Sequence, residues 1–303
     1  MSNTLTTTAP AAAATTAAPQ PGRYGAACGC LQRRAFVGLL LAGAATPALA
    51  LVPECRRSSA ARLIPADQVE GAAQQQYAQL LREARAQNAL APEDSLQKQR
   101  LRYIAERIVP QAPACNDRAA RWKWEVNLLG SKQINAFCMP GGKIAFFSGI
   151  LSTLKLSDDE VAVVMGHEIA HALLEHARER MAKSTGTNLG LRLGAAVLGL
   201  GGLGDMAAQG LANLASLKFS RDDESEADVL GLMLAARAGY DPRAGITLWQ
   251  KMGKQSDGNA PPAWLSTHPA GAARIREIEN RLPRVLPDYE AAARPQRRFA
   301  VAA

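Results

Sequence analysis

Apolar and polar positions recur along this chain in more than one rhythm, and each change of rhythm marks a new element. From Ala66 to Ala89, the residues Val69, Ala73, Tyr77, Leu80, Leu81 and Ala84 return at helical spacing, which puts an apolar stripe on one face. Pro92 opens a second such pattern, Leu96, Leu101, Ile104, Ala105 and Ile108, closed by Pro110. Both predict amphipathic helices that wrap a core. The period then shortens to two. Trp122 to Leu128 alternates, Ile134 to Met139 follows, Pro140-Gly141-Gly142 is a turn signal, and Lys143 to Ser148 reads as a third strand. A hairpin is therefore expected, followed by a short helix at Leu151 to Lys155.

Helical spacing returns at Ser157. Ser157 followed by Glu160 is a capping box, and Val161, Val164, Ile169, Leu173 and Leu174 give the helix a buried side up to Ala182. Residues 185–217 are glycine-rich and apolar, and their longest uncharged run, Leu193 to Gly204, is too short to cross a bilayer. They are expected to form a helical hairpin or lid, or a loosely packed insertion. Ser220 to Asp228 then opens an acidic helix start that runs into Val229, Leu232, Met233 and Ala236 and stops at Gly239. Further helices are predicted at Pro242 to Gly253 and Ala270 to Leu282, and residues 283–303 read as a tail. The pattern predicts an α+β fold, mainly helical, with a small β-sheet beside the Ser157 helix, in one domain over residues 66–282.

Composition changes this picture only at the ends. The net charge of +8 includes Arg23, Arg33 and Arg34 of the first fifty residues, which hold no acids. Arg33-Arg34 leads into an apolar run from Phe36 to Val52 that contains Ala48-Leu49-Ala50. A charged segment, an apolar core and a small-residue site describe an export signal over 1–50, twin-arginine-like, with 51–65 as linker. Export to a periplasm or cell envelope is the expectation, with membrane association open. The remaining basic residues are scattered, which allows a weak attraction to anionic membrane surfaces and offers no nucleic-acid motif. In an oxidising compartment Cys115 and Cys138, which bracket a predicted strand, are the candidate disulfide pair. No cysteine has metal-site spacing.

The chemistry lies in His167-Glu168-Ile169-Ala170-His171. Histidines four apart on a helix point the same way, so two imidazole nitrogens converge on one ion. Glu168 is placed to act as general base on a water beside that ion. Downstream, Glu224 and Asp228 share a helix face; one can ligate the metal while the other fixes the tautomer of a histidine ligand. Glu226 points elsewhere on that helix. His176, five residues past His171, falls off the ligand face and is expected in solvent. Asn135 to Met139 is the candidate edge strand to which an extended peptide could add.

HEIAH, then SRDDESEAD, then LSTHP with an arginine six past its histidine, together resemble the HtpX and CAAX-prenyl-protease family of gluzincin metallopeptidases, including its BepA-, LoiP- and Oma-like branches. The segment NAFCMPGGKIAFFSGIL matches the family's strand-turn-strand, and the resemblance runs from about Val69 to Leu282. It implies a zincin-type fold with one zinc held by His167, His171 and Glu224. Glu168 would be the base and Asp228 the support of a histidine ligand. His268 and Arg274 would lie at the cleft, occupying a metal position or steadying substrate, and Asn135, Ala136 and Phe137 would bind it. The implied activity is endopeptidase cleavage of unfolded or misassembled envelope proteins. The competing class is a latent or non-proteolytic zinc-containing chaperone or assembly factor at the membrane surface, with His268 as a fourth ligand.

Overall fold

The computed structural model describes residues 55–184, 218–256, 263–268 and 272–302. The expected export signal and glycine-rich hairpin lie outside these residues. Helix α1 (Ala66–Ala86) and α2 (Leu96–Ile108) precede strands β1 (Glu125–Leu129), β2 (Ala136–Met139) and β3 (Lys143–Phe147). Then follow α3 (Ser148–Thr153), α4 (Asp158–Leu173), α5 (His176–Ser184), α6 (Arg221–Arg237), α7 (Ala244–Ser256), α8 (Ala263–Thr267) and α9 (Ala272–Ala291). No described helix is long and apolar enough to cross a membrane.

The sheet order is β1-β3-β2. β2 and β3 form the expected antiparallel hairpin, and β1 pairs with β3 in parallel, Glu125 opposite Lys143 and Leu129 opposite Phe147. The connection closes with Gly142 N–H donating to Met139 O, and Gly141 takes φ +83°, a conformation glycine adopts freely. Alternation along the strands sorts side chains into two layers. Phe137, Met139, Ala145 and Leu129 pack with Ala73 and Tyr77 of α1, while Ala136, Ile144, Phe146 and Leu128 face the main core around α4. β2 is thus an edge strand lying against α4.

α4 is buried along its whole length, and its start is fixed by the Ser157/Glu160 capping box, both halves of which form. A second tie comes from α2. Arg100, completely buried, donates to Asp158 Oδ1 at 2.6 Å and to Leu156 O at 2.7 Å. α6 carries its own capping box, Ser220 with Asp223. The two helices cross backbone to backbone. A Cβ added to Gly166 would lie 2.5 Å from Gly231 O, and one added to Gly231 would lie 2.6 Å from His167 N. Only glycine at both positions permits this approach.

The structure differs from the sequence expectations at three places. The helix predicted to run unbroken from Ser157 to Ala182 stops at Leu173. Glu175 takes φ +60°, and a new helix starts at His176. Cys115 pairs with Cys55, not with Cys138, because the residues after α2 lie against the chain entering α1; Cys138 sits free in the middle of β2. Residues 283–302 of the expected tail are structured. α9 continues through Pro283 and Pro287 to Ala291, and the chain then folds back, Phe299 N–H donating to Asp158 Oδ2 and Arg298 pairing with Asp159, both at 2.9 Å.

Candidate metal centre

α4 and α6 supply opposite sides of one buried cluster. His167 and His171, one turn apart on α4, bring their Nε2 atoms within 3.1 Å of each other. From α6, Glu224 Oε1 lies 3.5 Å from His171 Nε2, and Oε2 lies 3.6 Å from His167 Nε2. His268, at the end of α8, places Nδ1 2.9 Å from Glu224 Oε1 and 3.3 Å from His167 Nε2. One ligand atom from each of these four residues falls within 4.8 Å of the others, and all four are buried.

The donor chemistry fits a metal ion. Asp228 Oδ1 lies 3.1 Å from His167 Nδ1 and can only accept, so the ring proton of neutral His167 sits on Nδ1 and Nε2 presents a lone pair to the cluster. Burial and the neighbouring imidazoles hold His171 well below its ordinary pKa, so its ring is neutral. Two imidazole Nε2 atoms 3.1 Å apart beside a carboxylate form a donor set that suits zinc.

Around the cluster the charges are managed in pairs. Arg274 donates to Glu224 Oε2 and to Asp228 Oδ2, each at 2.5 Å. Its guanidinium also covers the Trp249 ring, 3.9 Å from the centroid. Burial alone would raise Asp228, but Arg274 and the His167 bond bring it down to about 2. Burial likewise works against ionised Glu224, and the bond from His268 with the nearby positive charge lowers it nonetheless. Glu168 is the exception. Burial pushes its carboxyl up to about 7 against the opposing pull of His167 and Trp264.

Trp264 was not singled out by sequence reasoning. Its Nε1–H donates to Glu168 Oε1 at 2.7 Å while its ring stacks on Trp249, centroids 5.1 Å apart. Trp264→Phe keeps the stacked ring and removes the donor to the carboxylate. A hydrogen bond to a charged group contributes about 1.5–3 kcal/mol, so kcat of any reaction using Glu168 should fall at least about tenfold. Metal content should stay unchanged, as checked by elemental analysis beside the kinetics.

Phe219 is a second unforeseen neighbour. It precedes the cap of α6 and stacks on His171, centroids 4.1 Å apart. A cleft runs from the cluster along β2, lined by Ala136, Phe137 and Cys138 on one side and by Val69 and Glu70 of α1 on another. Asn135 lies just before β2 and accepts the N–H of Ala136 with its own side chain.

The arrangement differs from the sequence expectations at one residue, His176. Arg274, expected at the cleft to occupy a metal position or steady substrate, donates to the two α6 carboxylates. His176, expected in solvent, is buried with Nδ1 2.9 Å from His171 Nδ1. Five residues along a continuous helix would have carried it to another face; the break at Glu175 turns it back.

Comparison with known proteins agrees with this geometry. The profile of Peptidase family M48 matches residues 95–282. The mitochondrial metalloendopeptidase OMA1 of Arabidopsis thaliana is 44% identical over 153 residues, 50% of this chain and 30% of the relative. The Schizosaccharomyces pombe protein of the same name is 40% identical over 163 residues, 53% of this chain and 47% of the relative. The metalloprotease LoiP of Escherichia coli is 32% identical over 189 residues, 56% of this chain and 73% of the relative. The chain thus spans half or less of the length of these OMA1 relatives. Their names place them in mitochondria, which overturns the expectation of export to a periplasm or cell envelope. By the match over most of its described domain, the chain belongs to Peptidase family M48.

Proposed function

We propose that this chain is a zinc-dependent endopeptidase that cleaves unfolded or misassembled proteins, with His167, His171 and Glu224 as zinc ligands in the gluzincin manner. One observation carries the reading: ligand atoms from α4, α6 and the His268 segment converge within 4.8 Å, with Glu168 buried beside them. When bound, zinc supplies Lewis-acid polarisation of a water and of the scissile carbonyl. Glu168 takes the proton of the attacking water and hands it to the leaving amine. Trp264 holds Oε1, which leaves Oε2 for that transfer. Asp228 keeps the metal-facing nitrogen of His167 unprotonated, and Arg274 balances the charge of Glu224 and Asp228 while fixing their positions.

The position of β2 supports this substrate class. An edge strand beside the catalytic helix binds an extended backbone by strand addition, with Asn135, Ala136 and Phe137 along its path. Extended backbone is what an unfolded chain offers and a folded one hides. The test is cleavage of casein by the purified chain before and after chelation. Cleavage should stop when zinc is withdrawn and return when about one equivalent is restored. Cleavage indifferent to chelator would refute the reading.

A second reading has a specific observation behind it. His268 sits among the ligand atoms, 2.9 Å from Glu224, and as a fourth ligand it would exclude the water, leaving a latent enzyme or a zinc-containing assembly factor. His268→Ala separates the two. A latent protease gains casein cleavage at unchanged zinc content. A structural site loses zinc or melting temperature instead. Loss of cleavage with zinc retained would make His268 a helper of the reaction.

A further inference from the structure

His176 is a buried histidine for which the chemistry above has no use. It stands at the first residue of α5, immediately after the positive-φ Glu175, and its exposure is 1%. Its Nδ1 faces His171 Nδ1 at 2.9 Å, and its Nε2 faces Glu226 Oε2 at 3.4 Å. Glu226 is half exposed, on the same helix as Glu224 but off the ligand face.

Hydrogen-bond bookkeeping along this chain has one self-consistent solution for neutral rings. A carboxylate only accepts, so Glu226 requires the proton of His176 on Nε2. That leaves His176 Nδ1 as an acceptor, and the 2.9 Å contact is then made by an N–H at His171 Nδ1. With its single proton there, His171 turns the lone pair of Nε2 toward His167 and Glu224. The opposite assignment would put a proton on His171 Nε2, in the middle of the ligand atoms, and leave Nε2 of His176 aiming a lone pair at a carboxylate.

We propose that His176 is the positioning residue of metal ligand His171, setting its tautomer and ring orientation through a relay that ends at Glu226. The inference rests on the reading of His171 as a ligand. It completes a symmetry in the site: His167 receives the same service from Asp228 directly, while His171 receives it through an intervening imidazole. The break at Leu174 and Glu175 is what brings the intermediary into place. Phe219 stacks on the His171 ring, so the imidazole is held by a face as well as by an edge.

The test uses the whole chain and two readouts other than cleavage. In the metal-free wild-type protein, long-range proton–nitrogen correlation of the histidine rings should find the His171 proton on Nδ1. A proton on Nε2 would overturn the relay without any variant having to fold. Zinc affinity is then measured by competition with a chromogenic chelator in wild type, His176→Leu and His176→Asn. Supporting ligands of this kind are worth about 10–100-fold in metal affinity, so His176→Leu should weaken binding by that amount. His176→Asn offers an amide oxygen as acceptor and should recover most of it. Equal affinity in all three proteins refutes the proposal, as does a loss in His176→Leu that asparagine does not mend at equal melting temperature. Failure of the wild-type chain to bind zinc would strike the metal-centre reading itself and is seen in the same titration.

Discussion

Glu168→Gln is expected to lower kcat for casein cleavage by about 10²–10⁴-fold, the range that a positioned proton-transfer group supplies. The substitution preserves the size of the side chain, and the amide oxygen still accepts the N–H of Trp264, now 2.7 Å from Glu168 Oε1. What disappears is the capacity to take a proton and give it back. None of the ligand atoms belongs to this residue, so zinc content should remain at the wild-type level. Single-turnover cleavage and elemental analysis of the same samples check both halves. Cleavage surviving in the zinc-loaded variant would remove Glu168 from the role of base.

Gly231→Ala is expected to damage the metal centre without touching a ligand. The added methyl would lie 2.6 Å from His167 N and 2.8 Å from His167 Cα. Both are backbone atoms of a helix locked on all sides, so α4 and α6 have to move apart. Such overpacking costs typically about 1–3 kcal/mol. Zinc sites tolerate only about ±0.2 Å in their ligand distances, and Glu224 sits two turns along the helix being displaced. Zinc affinity should fall by more than about tenfold, with a lower melting temperature. Gly71→Ala on α1 is the control: a Cβ there meets nothing within 4 Å, and the gain in helix propensity should raise stability by up to about 1 kcal/mol. If Gly231→Ala binds zinc as tightly as wild type, the close crossing does not set the ligand geometry.

The parts of this site legible in the sequence were those carried by local rules. The capping box at Ser157 and the acidic start after Ser220 announced two helices, and histidines four apart on the first share a face whatever the rest of the fold does. Gly141 and Gly142 announced the hairpin for the same reason. The break at Glu175 gave no such warning, since it uses a left-handed glutamate where glycine or asparagine would have been the signal. The misplacement of His176 followed from that one residue. Trp264 and Arg274 meet Glu168, Glu224 and Asp228 across long stretches of chain. Their hydrogen bonds depend on how α6, α8 and α9 dock, which periodicity does not encode. Cysteine pairing failed likewise, because the partner of Cys115 lay in a stretch read as linker. Gly166 and Gly231 were available as a signal: a glycine inside a helical pattern often marks a close packing contact.

The division of ligands between α4 and α6 also has a thermodynamic consequence. Neither helix holds a complete set, so the unfolded chain has no comparable affinity for the ion, and binding is drawn from the folded population alone. Mass action then ties stability to the free metal concentration, adding about 2.7 kcal/mol at a hundred times Kd and vanishing well below Kd. The lifetime of this protein in a cell would accordingly rise and fall with the local supply of the bound metal.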